Sequence, residues 1–143
     1  MSFRLNEHVE FELAQLHKLL SEGHDLINNC KAVPPDTAEK WALGAMLQAF
    51  YNGIENIFKR IAGEYDGNLL KDDHWHADLL TAMSRSTERR PAVVSKDLLI
   101  LLKKYLAFRH IVRNIYTHEL RWDSMADLVF QVNTTLDLVD LVI

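Results

Sequence analysis

Apolar residues recur along this chain at three- and four-residue steps and nowhere alternate over a useful length. That period belongs to helices with one buried face, and it leaves no candidate strand. Val9, Leu13, Leu16, Leu20 and Ile27 form the first stripe and predict a helix over residues 5–29. Ala32-Val33-Pro34-Pro35 stops it, because proline lacks an amide hydrogen and restricts its predecessor. Asp36 or Thr37 caps the second helix, and Glu39 is placed to close a capping box with Asp36. Its seam of Leu43, Leu47, Phe50, Ile54, Ile57 and Ile61 runs to about residue 62, where Gly63 and Asp66-Gly67-Asn68 end it. Gly44 and Gly53 interrupt that helix at about 1 kcal/mol each relative to alanine, so a neighbour is expected to come close there.

Residues 74–84 predict a short helix carrying Trp75, Leu79, Leu80 and Met83, and the polar residues 84–91 predict a surface loop. Ser95 caps the fourth helix, which is expected to run to residue 120 with Leu101, Tyr105, Phe108, Val112 and Ile115 inward. At 1.5 Å per residue it would be about 37 Å long. Asp123 or Ser124 opens the last helix, with Met125, Leu128, Val132, Leu136 and Val139 inward. Separate seams joined by short connections favour an all-α, up-and-down four-helix bundle with a short extra helix over a coiled coil. One domain spanning residues 1–143 is expected, since that length suits a single sizeable core.

Composition narrows the class. With 48% hydrophobic and 25% charged residues the chain reads as globular, not disordered. Its apolar runs are too short to span a bilayer, and its start lacks the apolar core of a signal peptide. A single cysteine, Cys30, excludes an internal disulfide framework. A cytoplasmic protein fits these features. A net charge of −4, from 20 acidic and 16 basic residues, argues against coating nucleic acid by bulk charge. The bases are nevertheless gathered: Lys103, Lys104, Arg109, Arg113 and Arg121 in one region, and Arg85, Arg89 and Arg90 in another.

The densest chemistry lies late in the fourth helix. On a helical wheel His110, Arg113, Asn114, Thr117, His118 and Arg121 share one broad polar face, and no acid occurs between Asp97 and Glu119. Cations without local carboxylates call for an anion from elsewhere: a partner carboxylate in the bundle or across a dimer, or a phosphodiester. Arginine can neutralise a phosphate without losing its proton, and histidine can move a proton near neutral pH. In a continuous helix Arg113 and His118 would differ by about 140° around the axis and 7.5 Å along it, too far for one phosphate. Symmetric pairing of two such helices would bring the groups together.

The run Arg113-Asn114-x-x-x-His118, late in a long helix of an all-helical chain, resembles the signature of the HEPN family. Residues 108–118, Ala49-Phe50-Tyr51-Asn52-Gly53-Ile54-Glu55-Asn56-Ile57 and His74-Trp75-His76 with Leu79-Leu80 resemble the HepT-like toxins in particular. The resemblance implies a HEPN-like bundle and a homodimeric endoribonuclease toxin that needs neither metal nor cofactor. It implies a nucleotidyltransferase-type (MNT) antitoxin as partner, and RNA as substrate, with no DNA and no membrane. Carried over by position, Arg113 and His118 are the catalytic pair and Asn114 the polar neighbour of the arginine. Arg109, His110 and Arg121 are candidates for substrate binding. HepT proteins carry a tyrosine two residues after the motif histidine, which the antitoxin modifies with AMP. That position is Leu120 here, leaving Tyr116 as the nearest phenol for modification, with direct binding as the other route to silencing.

Three weaker features have plain readings. His74-x-His76 beside Asp72 and Asp73 is a loose metal pattern, and a structural role is favoured. Cys30 reads as a buried or idle thiol. Glu55 is placed to salt-bridge an arginine of the fourth helix. Against the nuclease stands a non-catalytic helical subunit that binds substrate and presents it to a nucleotidyltransferase. A plain structural dimer is the third reading.

Overall fold

The opening stripe does form a helix, but a broken one. The computed structural model describes residues 2–67, 75–114 and 119–143. Helix α1, Phe3–Glu22, starts where the Ser2 hydroxyl accepts from the Leu5 amide. The chain breaks at Gly23 and resumes as α2, His24–Asn29. A side chain at Gly23 would place its Cβ 2.7 Å from Met46 Sδ, so glycine lets the third helix press against this break. The expected single helix over residues 5–29 is therefore two.

Helix α3, Thr37–Tyr65, has the expected capping box: Asp36 Oδ1 accepts from the Glu39 amide at 2.8 Å, and Glu39 Oε1 from the Asp36 amide at 3.0 Å. It runs through Gly63 and ends beyond it, Gly67 taking the left-handed φ of 73° that favours glycine. Helix α4 is Trp75–Met83. Helix α5, Lys96–Arg113, is capped by Ser95, and α6 is Trp122–Val142. Arg121, not Asp123 or Ser124, is the α6 N-cap, and it caps without a side-chain bond.

The described residues form an all-α bundle, without strands, whose four long helices are α1, α3, α5 and α6. Helix α3 is the centre, packing on α1, α5, α4 and α6. Its pairings with α1 run antiparallel: Gly53 meets Leu16, and Arg60 donates to His8 Nδ1 at 2.8 Å. So do its pairings with α5, Gly44 beside Val112 and Asn52 beside Arg109. Both glycines are sites of close approach, as their cost in helix propensity suggested. A Cβ at Gly53 would stand 2.5 Å from a Leu16 methyl, and one at Gly44 3.2 Å from Leu120.

The inward seams of α3 and α6 are those predicted, while α5 buries Leu98, Leu102, Tyr105 and Phe108, with Leu101 and Val112 only half-buried. Ile115 lies outside the described residues. Tyr105 packs edge-on against Phe50 and donates from its hydroxyl to the Leu128 carbonyl at 2.8 Å. Burial pushes its phenol up to about 12, with a smaller opposing effect of Thr135. Among the described residues no helix is long and apolar enough to cross a membrane.

The segment between α4 and α5 departs from the expected solvated loop. Arg85 and Arg89 are exposed, but Arg90 is buried. Its Nε donates to Asp66 Oδ1 at 2.7 Å and Nη2 to Asp66 Oδ2, while the remaining N–H groups reach the carbonyls of Ala82, Arg85 and Pro91. All five guanidinium donors are thus engaged, and Arg90 is a tie between this segment and the end of α3. It is not a phosphate contact.

Three outcomes follow for stability. Gly53→Ala should lower the urea midpoint, since overpacking costs about 1–3 kcal/mol and the gain in helix propensity is smaller. In a Leu16→Ala background the same change should become neutral or stabilising, the coupling expected of touching sites. Arg90→Ala should cost about 3–5 kcal/mol by leaving Asp66 buried and unpaired. The folded chain holds the Tyr105 proton up to about pH 12, whereas the unfolded chain releases it near pH 10. Stability therefore falls as pH rises from 10 to 12, and urea titrations across that range should show a shallower fall for Tyr105→Phe.

Candidate functional site

Helix α5 ends at the motif. Arg113 is its last residue and is exposed; Asn114 is the C-cap and leaves helical geometry at φ −112°, ψ 37°. The expected continuation to residue 120 is absent at that point, and Glu119 to Arg121 are not helical. The physical reason is in Asn114 itself. Its Nδ2 donates to the His110 carbonyl at 2.8 Å, and its backbone N–H to the Ile111 carbonyl, so the last turn's carbonyls are satisfied locally. His118 and Tyr116 lie outside the described residues, as do His74, Asp72 and Asp73.

The remaining candidates divide into two groups. Arg113, Asn114 and His110 share the last turn of α5, where cations also favour the negative end of the helix dipole. Arg109 stands one turn earlier, half-buried, with Nε donating to Asn52 Oδ1 of α3 at 2.6 Å. Arg113 has no carboxylate partner among the described residues. Arg121 has a carboxylate partner of its own; its Nη2 meets Asp123 Oδ2 at 3.1 Å on the exposed surface. Leu120, at the position where the resemblance leads one to look for a phenol, is buried next to Gly44.

A second polar cluster sits further along the α3–α4 contact. The Glu55 carboxylate is buried and pairs with His76 Nδ1 at 2.7 Å, not with an arginine of α5 as expected. The His76 ring stacks on Trp75 at 3.6 Å, and Lys59 Nζ lies 4.7 Å from the centre of the Trp75 ring. Burial foremost, then the Glu55 charge, pushes the Tyr51 phenol well up, and Arg109 opposes this. His76 thus has a structural role at the α3–α4 contact. Cys30 is buried, the plain reading of a lone thiol.

Between α1 and α3 runs an open groove of about 440 Å³, lined by Glu12, Gln15, Lys18, Glu22, Asn52 and Asn56 among others. Its carboxylates come from α1, on the far side of α3 from α5. Asn52 thus stands between this groove and Arg109. Sequence reasoning missed Asn52 as a site residue. The one local signal was a polar residue set among the small residues Ala49 and Gly53 beside a buried seam.

A family model described as HepT-like protein matches residues 42–142, which include most of α3, all of α4 and α5, and the whole motif. No curated protein and no solved structure matches the chain. The chain belongs to the HepT-like family.

Proposed function

We propose that this HepT-like chain is an endoribonuclease toxin that works as a homodimer without a metal, held in check by a nucleotidyltransferase-type MNT antitoxin. HepT-like proteins are in general HEPN-type toxins of toxin–antitoxin pairs. The observation that carries the reading is Arg113: an exposed guanidinium at the end of α5, in a stretch without acids from residue 98 to 118, followed by Asn114 and by His118 four residues later.

Those groups suffice for cleavage by the RNA's own 2′-hydroxyl. In this reading His118 takes the hydroxyl proton, and the oxygen attacks the adjacent phosphorus. Arg113 neutralises the charge that builds on the phosphorane. The 5′-oxygen leaves and takes up a proton, giving a 2′,3′-cyclic phosphate and a 5′-hydroxyl. The partner protomer supplies the second copy of each group, in a cleft at the twofold axis. Asn114 acts by ending the helix and setting the direction of the chain after Arg113. With leucine buried at position 120, the antitoxin silences the toxin by direct binding or through Tyr116.

The test is cleavage of cellular RNA by the purified chain freed of its partner, with and without chelator. Cleavage that persists in chelator and leaves cyclic-phosphate ends is expected. Arg113→Ala and His118→Ala should each slow it by at least about a hundredfold while the dimer survives in sedimentation. A wild-type chain that cuts no RNA in either condition removes the nuclease reading and leaves the substrate-presenting subunit in its place.

A further inference from the structure

Two arginines of this chain are withdrawn from solvent, and they are treated differently. Arg90 spends all five donors, two of them on the Asp66 carboxylate. Its charge is balanced, and it is a structural tie. Arg109 spends Nε on Asn52 Oδ1 at 2.6 Å, and among the described residues neither Nη has a partner. An amide oxygen orients a guanidinium without neutralising it. The nearby buried carboxylate, Glu55, is committed to His76.

The surroundings reinforce the contrast. Helices α3 and α5 lie antiparallel, and each is free of acids over the stretch that faces the other: residues 40–54 and 98–113. On a chain of net charge −4 the α5 side of Asn52 is thus locally cationic, while Glu12 and Glu22 of α1 line the groove on its other side. Arg109 and Arg113 are four residues apart, so they differ by about 40° around α5 and 6 Å along it. That spacing is of the order of the step between neighbouring phosphates on one nucleic-acid strand. Beside Asn52, α3 shows small or uncharged groups, Ala45, Gln48 and Ala49, with Trp41 exposed at the end of the same face. An exposed indole offers a base a stacking surface.

We propose that Asn52 is a positioning residue that holds Arg109 as a second phosphate-binding cation, for the phosphate next to the scissile one in single-stranded RNA. The inference rests on the nuclease reading for the identity of the strand, and it adds a subsite that the motif does not contain. With Nε taken by Asn52, the two Nη groups and the positive charge are left for the ligand. Arg113 then serves the reacting phosphate and Arg109 its neighbour.

Asn52→Asp separates this role from a merely structural one. A carboxylate at that position keeps the bond to Nε and strengthens it, so a structural tie would hold as well or better. The phosphate subsite, by contrast, would lose its net charge. The probe is a fluorescent, uncleavable 2′-O-methyl RNA octamer, read by anisotropy against salt, beside the melting temperature of each variant. We expect Asn52→Asp to keep or raise the melting temperature while weakening the octamer about tenfold, the scale of one charge-assisted bond. The slope of log affinity against log salt should fall by about 0.7, one single-strand phosphate. Asn52→Ala and Arg109→Gln should weaken binding in the same direction. Undiminished octamer affinity in Asn52→Asp overturns the proposal, whatever the nuclease assay gives. A wild-type chain that binds the octamer with this Asn52 dependence but cuts no RNA sinks the nuclease reading and keeps the subsite.

Discussion

The distance between α3 and its two long neighbours governs everything else in this bundle. It is set where Gly53 admits Leu16 and Gly44 admits Leu120 and Val112. Glycine costs helix propensity at both positions, and the return is dispersion contact along both flanks of the central helix. With α5 held this close, the short Asn52 side chain reaches the Arg109 guanidinium, and Phe50 reaches the Tyr105 ring. A wider spacing would break both. The candidate site is therefore a by-product of core packing on one side of α3.

The same economy explains how buried polar groups are handled. Asp66 ends α3 and simultaneously receives Arg90, so one carboxylate joins a helix terminus to a connecting segment. Glu55 and His76 join α3 to α4 in the same manner. Each pair is local in space and distant along the chain, and Glu55, the carboxylate near Arg109, is held by α4 instead of by α5.

Much of the fold was legible because periodicity and caps are local. The seams of α3 and α6 read directly from the apolar steps, and Asp36 with Glu39 announced a helix start that the backbone adopts. The failures share one cause, since each was decided by a partner remote in sequence or by a side chain acting against its own pattern. At Gly23 the apolar steps continue into Ile27, so the periodicity does not mark the break, where the missing side chain makes room for Met46 of α3. The end of α5 was hidden because Val112 and Ile115 keep the period, while the Asn114 amide turns back to the His110 carbonyl. Arg90 sat in a run that reads as solvated, and its carboxylate lies 24 residues away. Of the site, the residue types of the motif were legible; the Asn52–Arg109 pairing, across 57 residues, was not.

The distribution of charge among the helices has a consequence for encounter. Helix α5 carries Lys96, Lys103, Lys104, Arg109 and Arg113 against Asp97 alone. Its neighbour α6 carries Asp123, Asp127, Asp137 and Asp140 and no lysine or arginine. Charge is thus divided unevenly between these two packed helices despite the modest overall charge. A polyanion drifting past is repelled by one flank and drawn to the other, so collisions are sorted by orientation before any contact forms. That sorting acts on the rate of capture and fades as ions shorten the reach of the field.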